Sequence, residues 1–167
     1  MAPSRDDRFG RLVRELSPPV GSYLARRLYP LARVDLDDLV EETFTIIWRR
    51  IDDVPSDAEL PWTLGVARNV LRNAKRSHAR RLNYEGKVRP RGAHASAEES
   101  VLADESVRDA LNKLSDDDRE ILLLHAWDGL NANELARTLL ISPNAAAVRL
   151  SRAQTKFKEY INEAPIQ

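Results

Sequence analysis

The sequence predicts an all-α protein made of two small helical domains joined by a flexible linker. Only six glycines occur among its 167 residues, while the good helix formers Ala, Leu, Arg and Glu are abundant. No segment alternates apolar and polar residues for long enough to predict a strand. Turn-forming residues without an apolar period occupy residues 82–97, so we expect a first domain over residues 1–81, a linker over 82–97 and a second domain over 98–167.

Composition narrows the classes of function. Acidic and basic residues balance at 26 each, but residues 1–91 hold 18 Lys or Arg against 13 Asp or Glu, whereas residues 92–167 hold 8 against 13. This asymmetry predicts separate surfaces with separate partners. The absence of cysteine excludes disulfides and thiolate metal sites, and no cofactor is expected. Because no apolar run approaches the ~20 residues of a membrane span and the N-terminus lacks a signal-peptide core, we expect a cytoplasmic protein without membrane insertion.

The first two helices are predicted from apolar spacing and from proline positions. An amphipathic helix is expected from about Asp7 to Leu16, ending before Pro18 and Pro19. Interior prolines remove a backbone hydrogen bond and clash with the preceding turn, so they are expected to end the helix. A second short helix is expected over residues 20–28.

A third helix, from about Asp35 to Ile51, has one apolar and one charged face. Asp35 can cap its start, and apolar residues repeat at helical spacing. A metal site built from its acids is disfavoured, because they have no histidine partner, and without further information the charged face is a solvated one. Acids come early and bases late on this face, as the helix dipole favours: Asp37, Asp38, Glu41, Glu42, Arg49 and Arg50.

A fourth helix is strongly basic. Pro61 fits its first turn, and Trp62, Val66 and Val70 follow at steps of four. We therefore expect Trp62 to be a core residue rather than a stacking platform. Residues 68–91 hold nine Lys or Arg and one acid. From the residues alone this run could bind nucleic acid, anionic membrane or an acidic protein, although it lacks the large apolar face of a membrane-surface helix.

Capping patterns predict the helices of the second half. Ser115 and Asp118 have the spacing of a capping box, and Asn131 and Glu134 repeat that spacing. Gly129 provides the stop between the two helices.

The stretch "ISPNAAAVRL" begins the last helix, which we expect to run to about Asn162. Ser142 can cap it and Pro143 occupies its first turn. Because a short helix ending near Leu140 precedes it, the pair has the pattern of a helix-turn-helix. One face is small or polar, and four bases precede the first acid, Glu159: Asn144, Ala147, Val148 and Ser151, with Arg149, Arg152, Lys156 and Lys158.

A helix of this composition can enter the major groove of DNA. Small side chains permit a close approach, Asn and Ser can bond base edges, and the bases can contact phosphate. On spacing alone a second interpretation stays open, in which the alanines are only good helix formers and the bases form a solvated face.

Two separated stretches resemble a known family. "DLDDLVEETFTIIWRRI" followed by "PWTLGVARNVLRNAKRSHARR" resembles the second conserved region of bacterial RNA polymerase sigma factors. "LSDDDREILLLHAWDGLNANELARTLLISPNAAAVRLSRAQTKF" resembles their fourth region. With both present and nothing large between them, the chain resembles the extracytoplasmic-function (ECF) group of the sigma-70 family. The resemblance covers about Val20 to Tyr160.

The resemblance implies a role for each helix, in a factor that performs no catalysis of its own. The third helix would dock on the clamp coiled coil of the polymerase's largest subunit through Asp38, Glu41, Glu42, Arg49 and Arg50. The fourth helix and the loop before it would bind the promoter's −10 element as separated strands, with a flipped base in the loop, through Ser56, Arg68, Asn69, Arg72, Asn73, Lys75, Arg76, Arg80 and Arg81.

The resemblance also assigns the second domain and the linker. The second domain would sit on the polymerase flap, while the linker, with Lys87, Arg89 and Arg91, would pass near the active cleft. The last helix would contact the −35 element through Ser142, Asn144, Ala147, Val148, Arg149, Ser151, Arg152 and Lys156.

Some residues depart from the family pattern. Leu140 stands where the family's turn usually has glycine. If the position needs a positive φ, leucine costs about 1–2 kcal/mol there, and the sequence leaves open whether the turn is altered. Asn131 replaces a usual Ser or Thr cap, which is nearly neutral. The alanines over residues 145–147 replace larger residues, so no particular −35 sequence is predicted.

The resemblance implies an inhibitory anti-sigma protein, with the acidic helix over residues 98–114 and the apolar "EILLLHAW" as contact surfaces. The alternative function is a standalone helix-turn-helix regulator that binds duplex operator DNA, which leaves the basic fourth helix unexplained. An enzyme is disfavoured, because His78, His94 and His125 lack ligand spacing and no glycine-rich phosphate loop occurs.

Overall fold

The computed structural model describes residues 1–86 and 105–163, and the regular structure within these ranges is all helical. The chain divides into two compact units, Met1–Glu98 and Glu99–Gln167. The predicted all-α class is confirmed. Among the described helices, none combines the length and the apolar character that a membrane span needs.

Residues 1–86 of the first unit form a bundle of three helices. These are α1 (Arg5–Arg26), α2 (Leu36–Arg49) and α3 (Glu59–Tyr84), and 3₁₀ turns at Arg33–Asp35 and Ile51–Asp53 precede α2 and α3. Each helix packs against the other two. The apolar faces therefore meet in one core, to which α1 contributes Leu12, Leu16, Val20, Tyr23 and Leu24.

Helix α1 is continuous through its two prolines, so the prediction of two separate helices was wrong. Pro18 and Pro19 lie inside the helix, and Pro18 is exposed. Water can bond the carbonyls that the prolines leave unpaired. The buried residues continue in register on both sides of the prolines, and each fully buried aliphatic side chain contributes about 1.5–3 kcal/mol. Burial of Val20, Tyr23 and Leu24 against the other helices thus offsets the lost hydrogen bonds.

The start of α2 also differs from the prediction. Asp35 does not cap α2, because its own backbone already has helical angles at the end of the 3₁₀ turn. Its carboxylate instead accepts a hydrogen bond from the backbone N–H of Ala32 at 3.0 Å. The acidic residue thus stabilises the turn that precedes the helix, one step earlier than expected.

Helix α3 begins before Pro61 and extends further than predicted. Pro61 lies in the first turn, as expected, and is buried. The helix continues to Tyr84, so the predicted linker begins inside it. The basic linker residues Lys87, Arg89 and Arg91 lie outside the described residues.

Residues 105–163 of the second unit form four helices. They are α4 (Glu105–Lys113), α5 (Asp116–Ala126), α6 (Ala132–Leu139) and α7 (Pro143–Asn162). The predicted acidic helix over residues 98–114 is described from residue 105 onward.

Helix α7 packs against α4, α5 and α6 and so forms the centre of the second unit. Ala146 and Ala153 on α7 are fully buried. A side chain without atoms beyond Cβ allows neighbouring helices to approach closely, which the dense packing of a protein interior requires. The run of alanines thus serves two purposes, because Ala146 faces the core while Ala147 faces solvent.

Candidate nucleic-acid interface

Helices α6 and α7 form the predicted helix-turn-helix, and both have capped starts. The Asn131 side chain accepts from the backbone N–H of Glu134 at 2.9 Å, and Glu134 accepts from that of Asn131 at 3.1 Å. The Ser142 hydroxyl accepts from the backbone N–H of Ala145 at 3.1 Å. These bonds satisfy amide groups that no helical partner can reach. The Ser142 oxygen is therefore committed to the helix start.

The exposed face of α7 carries most of the residues predicted to contact DNA. Asn144, Ala147 and Ser151 are exposed, and Val148 retains 42% of its accessible surface. Arg152 is also exposed, while Arg149 is half-buried. The structure therefore brings these side chains, except that of Arg149, to one accessible helix surface.

Lys156 differs from the other bases of α7, because it is paired within the unit. Its Nζ donates to the Asp118 carboxylate on α5 at 2.6 Å, and the Asp118 side chain is only 13% exposed. This hydrogen bond raises the pKa of Lys156 and lowers the pKa of Asp118. Lys156 thus joins α7 to α5 in the free protein.

Leu140 ends α6 in the left-handed conformation, with φ 56° and ψ 45°. The turn therefore keeps the geometry in which glycine is favoured, which answers the question that the sequence left open: leucine does not alter it. The backbone N–H groups of Leu140 and Ile141 both donate to the carbonyl of Ala136. The Leu140 side chain is 88% exposed, so it gains nothing from packing that would offset the backbone strain.

Helix α3, in the first unit, presents another basic surface in addition to that of α7. Asn69, Arg72, Asn73 and Arg76 are exposed and lie within one side of the helix, opposite the buried Ala67 and Leu71. Arg80 continues this side and donates to the Ser77 hydroxyl at 3.3 Å. Arg68, Lys75 and Arg81 were predicted with them; Arg68 and Lys75 are half-buried at the flanks, and Arg81 is exposed.

Trp62 is half-buried, so the prediction that it belongs to the core was wrong. A spacing of four exceeds the 3.6 residues of a helical turn, so Trp62, Val66 and Val70 do not point in one direction. The indole of Trp62 therefore lies near the side of α3 that carries Asn69 and Arg76. The Arg50 guanidinium lies 5.1 Å from the centre of the ring. A cation over the ring stabilises this position.

The segment between α2 and α3 is held by two arginines of α1 that no local sequence signal indicates. Ser56 is exposed at its middle, as a contact with a base requires. Arg8 and Arg11 of α1 hydrogen-bond to both ends of the segment. The spacing of three between these arginines was visible in the sequence, but their partners lie more than 40 residues away and could not be identified from it.

Helix α2 and its C-terminal cap, Arg50, carry the residues predicted to bind polymerase. Asp38, Glu41, Glu42, Arg49 and Arg50 are all exposed. Arg50 also pairs with Asp53, with 3.1 Å between its Nε and the carboxylate.

A groove of about 740 Å³ lies beside this charged face, between α1 and α2. Phe9 and Val13 of α1 and Val40 and Phe44 of α2 line it, with Trp48 at one end. The rings of Phe9 and Trp48 meet edge to face at 5.1 Å. Acidic side chains border the groove: Asp6, Asp37 and Glu41.

Comparison with known families and proteins gives consistent results for both units. Residues 12–81 match Sigma-70 region 2, and residues 104–156 match Sigma-70, region 4. The RNA polymerase sigma factor CarQ of Myxococcus xanthus is 31% identical over 96% of this chain and 93% of its own length. The RNA polymerase sigma factor NccH of Alcaligenes xylosoxydans xylosoxydans is 26% identical over 95% of this chain and 89% of its own length.

Solved structures are similar as well. The structure of CnrH in complex with the cytosolic domain of CnrY has a TM-score of 0.64 at 26% identity, and the match covers 94% of this chain and 89% of that one. CnrH is an RNA polymerase sigma factor of Cupriavidus metallidurans. The sigma factor RpoE of Bartonella quintana, in complex with the anti-sigma factor NepR, has a TM-score of 0.65 at 21% identity over 94% and 98% of the two chains. At that identity the similarity concerns the fold.

Proposed function

Because the chain belongs to the extracytoplasmic-function group of bacterial RNA polymerase sigma factors, we propose how its surfaces divide the work of promoter recognition. As a sigma factor it directs core polymerase to promoters and supports initiation by recognition of −10 and −35 elements. It is a transcription initiation factor, and the polymerase carries out RNA synthesis. Its place of action is the cytoplasm, where its partner polymerase works.

The −35 element binds along α7. The observation that carries this proposal is the exposed face of Asn144, Ala147, Val148 and Ser151 on a helix that has no acid before Glu159. Small side chains let the helix backbone approach the groove floor, and Asn144 and Ser151 can hydrogen-bond base edges. Arg149 and Arg152 contact phosphate, which fixes the register without specifying sequence.

The −10 element binds along α3 as a separated strand. Arg72, Arg76 and Arg80 follow one exposed side of the helix and suit a phosphate backbone. Asn69 and Asn73 lie among them and can bond base edges. Arg68, Lys75 and Arg81 add positive charge at the flanks, and the segment around Ser56 accommodates a flipped base. Region 2 accounts for this basic helix, which a standalone operator-binding regulator leaves unexplained.

The clamp of the largest polymerase subunit docks on α2. Asp38, Glu41, Glu42, Arg49 and Arg50 offer an exposed face of mixed charge. Glu41 borders the apolar groove as well, so one partner surface can cover the charged face and the groove together. An interface with an apolar centre and a polar rim is the usual arrangement between proteins. The second unit contacts the flap.

An anti-sigma protein competes for these surfaces. One similar structure holds the sigma factor CnrH with the cytosolic domain of CnrY, and the other holds RpoE with the anti-sigma factor NepR. A basic, amphipathic helix suits the groove between α1 and α2, because Asp6, Asp37 and Glu41 border its apolar walls. Purification of the protein from unstressed native cells is expected to recover this inhibitor. Recovery of polymerase without an inhibitor would contradict the proposal.

Transcription in vitro tests the function. The full chain is combined with bacterial core polymerase on a library of random promoters, and initiation is compared with and without it. Initiation from a shared −35 and −10 pair, with little duplex binding in the absence of polymerase, is expected. Tight binding to duplex DNA by the chain alone, without new start sites, would instead support the standalone regulator.

Single variants separate the surfaces. Arg76→Ala is expected to weaken promoter opening while leaving the affinity for core polymerase unchanged, because Arg76 lies on α3, away from the α2 face. Arg49→Glu is expected to lower the affinity for polymerase. Arg14→Ala, an exposed change on α1, is the control for both. Loss of polymerase affinity in Arg76→Ala would contradict this assignment.

A further inference from the structure

Arginines in the first half of α1 bind the segment that joins α2 to α3, residues 50–58, and the helix ends on either side of it. Arg5 donates to the carbonyl of Trp48 at 2.8 Å. That carbonyl lies in the last turn of α2, where helical partners are absent. Arg5 also places its guanidinium 4.9 Å from the centre of the Trp48 ring. The C-terminus of α2 is thereby attached to α1.

Arg8 spans the 3₁₀ turn with a single guanidinium. Its Nη1 donates to the carbonyl of Ile51 at 3.0 Å and its Nη2 to the carbonyl of Val54 at 2.6 Å. Ile51 and Val54 are themselves buried. Hydrogen bonds from a charged donor are stronger than those between neutral groups, and the planar fork fixes direction as well as distance. Arg8 therefore sets the separation of the two ends of the turn.

Arg11 fixes the other end of the segment. Its guanidinium makes a bidentate pair with Glu59, the first residue of α3, at 2.8 and 3.0 Å. The Glu59 side chain is 17% exposed, and hydrogen bonding to Arg11 lowers its pKa. The start of α3 is thus held on the same face of α1 that holds the turn.

Between these two attachments only a few residues are exposed to solvent. Ser56 and Asp57 are exposed, while Val54 and Ala58 on either side are buried. A short segment with fixed ends has few conformations to lose when it binds a ligand. The geometry of α1 therefore determines how Ser56 and the backbone around it are presented.

We infer that Arg8 and Arg11 are positioning residues for recognition of a flipped −10 base by residues 50–58. This inference rests on the proposed function of that segment. Neither arginine is assigned a contact with DNA: they act through the shape of the segment, so their loss should weaken recognition of one base and leave the remaining promoter contacts intact. A merely structural role would weaken all promoter contacts alike.

Abasic substitution distinguishes these two roles. Holoenzyme is assembled with the full chain, and open-complex formation is measured on promoters in which each −10 base of the non-template strand is replaced in turn by an abasic site. In the wild type, an abasic site at one position, that of the flipped base, should lower open-complex formation; this loss is the abasic penalty. In Arg8→Met the natural promoter should open about tenfold less, and the abasic penalty at that position should shrink by about the same factor, as coupled groups do. Penalties at the other positions should stay unchanged.

Two further variants control the result. Arg8→Lys keeps the charge and can bond one carbonyl but not both, so it should fold and give an intermediate loss of the penalty. Arg14→Met removes an exposed arginine of the same helix and should behave as wild type. An unchanged pattern of abasic penalties in both Arg8 variants would overturn the inference. A wild-type holoenzyme indifferent to every abasic position would overturn the proposed function of the segment, and the inference with it.

Discussion

Replacing Leu140 with glycine is expected to stabilise the unit that contains the helix-turn-helix. Leu140 has a φ of 56° at the end of α6. A left-handed conformation costs a residue with a Cβ about 1–2 kcal/mol, because the Cβ crowds the following carbonyl oxygen. Glycine adopts it without that crowding. The hydrogen bonds to the Ala136 carbonyl come from backbone groups, so the substitution retains them.

The net gain is smaller than the strain that is relieved. Glycine makes the unfolded chain more flexible, which costs about 0.4–1 kcal/mol. Loss of the leucine side chain costs little, since 88% of it is exposed. The free energy of unfolding should therefore rise by about 0.5–1 kcal/mol. Amide hydrogen exchange that requires opening of the second unit should then slow about two- to fivefold.

Amide hydrogen exchange in the full chain measures this gain. The protected amides of α5 and α7 report the opening of the second unit by itself. Leu140→Ala is the matched control: it keeps the Cβ and the strain, so its exchange should remain within about twofold of wild type, as for most surface changes. Exchange in Leu140→Gly as fast as in Leu140→Ala would show that the positive φ costs nothing here.

Three more predictions address acid stability, base recognition and packing. Because the folded-state pKa of Glu59 lies below its usual 4.5, its contribution to stability is complete above pH 4.5 and is lost as the pH falls through the lower value. Denaturant unfolding of Glu59→Gln should therefore depend less steeply on pH below 4.5, and equal slopes would contradict the pairing. Asn144→Ala should lower the discrimination between bases at one −35 position by about 1–3 kcal/mol, because a base contact is lost. Arg152→Ala should instead lower the affinity for all −35 sequences alike, because a phosphate contact is lost, and selection from a promoter library distinguishes the two patterns. Ala146→Leu should destabilise the second unit by about 1–3 kcal/mol, measured by thermal unfolding, because Ala146 is fully buried. Ala147→Leu should unfold at nearly the temperature of the wild type, because Ala147 is exposed. Equal destabilisation by both substitutions would contradict the packing of α7.

Local signals in the sequence were sufficient for the starts of α6 and α7. Ser142, Pro143 and the pair of Asn131 and Glu134 act within four residues of the helix start that they define. Capping depends on such short-range hydrogen bonds, and the structure forms them as expected. The exposed face of α7 followed from the helical period for the same reason.

Errors arose where tertiary contacts decide the outcome. Pro18 and Pro19 were expected to end a helix, but burial of the residues on both sides maintains it. Trp62 was expected in the core from a step of four, whereas the position of Arg50 over its ring depends on the packing of α2 beside α3. Propensity is a weak prior in such cases.

The candidate site was only partly predictable. Charge and polarity indicated the exposed residues of α2, α3 and α7, because such residues are recognisable by type and spacing. The attachment of residues 50–58 to α1 was not predictable, since Arg8 and Val54 are 46 residues apart in the chain. The pairing of Lys156 with Asp118, across 38 residues, was missed for the same reason.

That pairing has a consequence for how strongly salt affects promoter binding. A lysine that docks on DNA usually displaces a counterion from the phosphates, and each such event steepens the fall of affinity with salt concentration. Lys156 already has the Asp118 carboxylate as its counterion. Its arrival at the DNA would exchange one carboxylate oxygen for one phosphate oxygen and leave Asp118 to recruit a cation from solution. The slope of affinity against salt concentration for the −35 contact should therefore be shallower than the number of basic residues on α7 would predict.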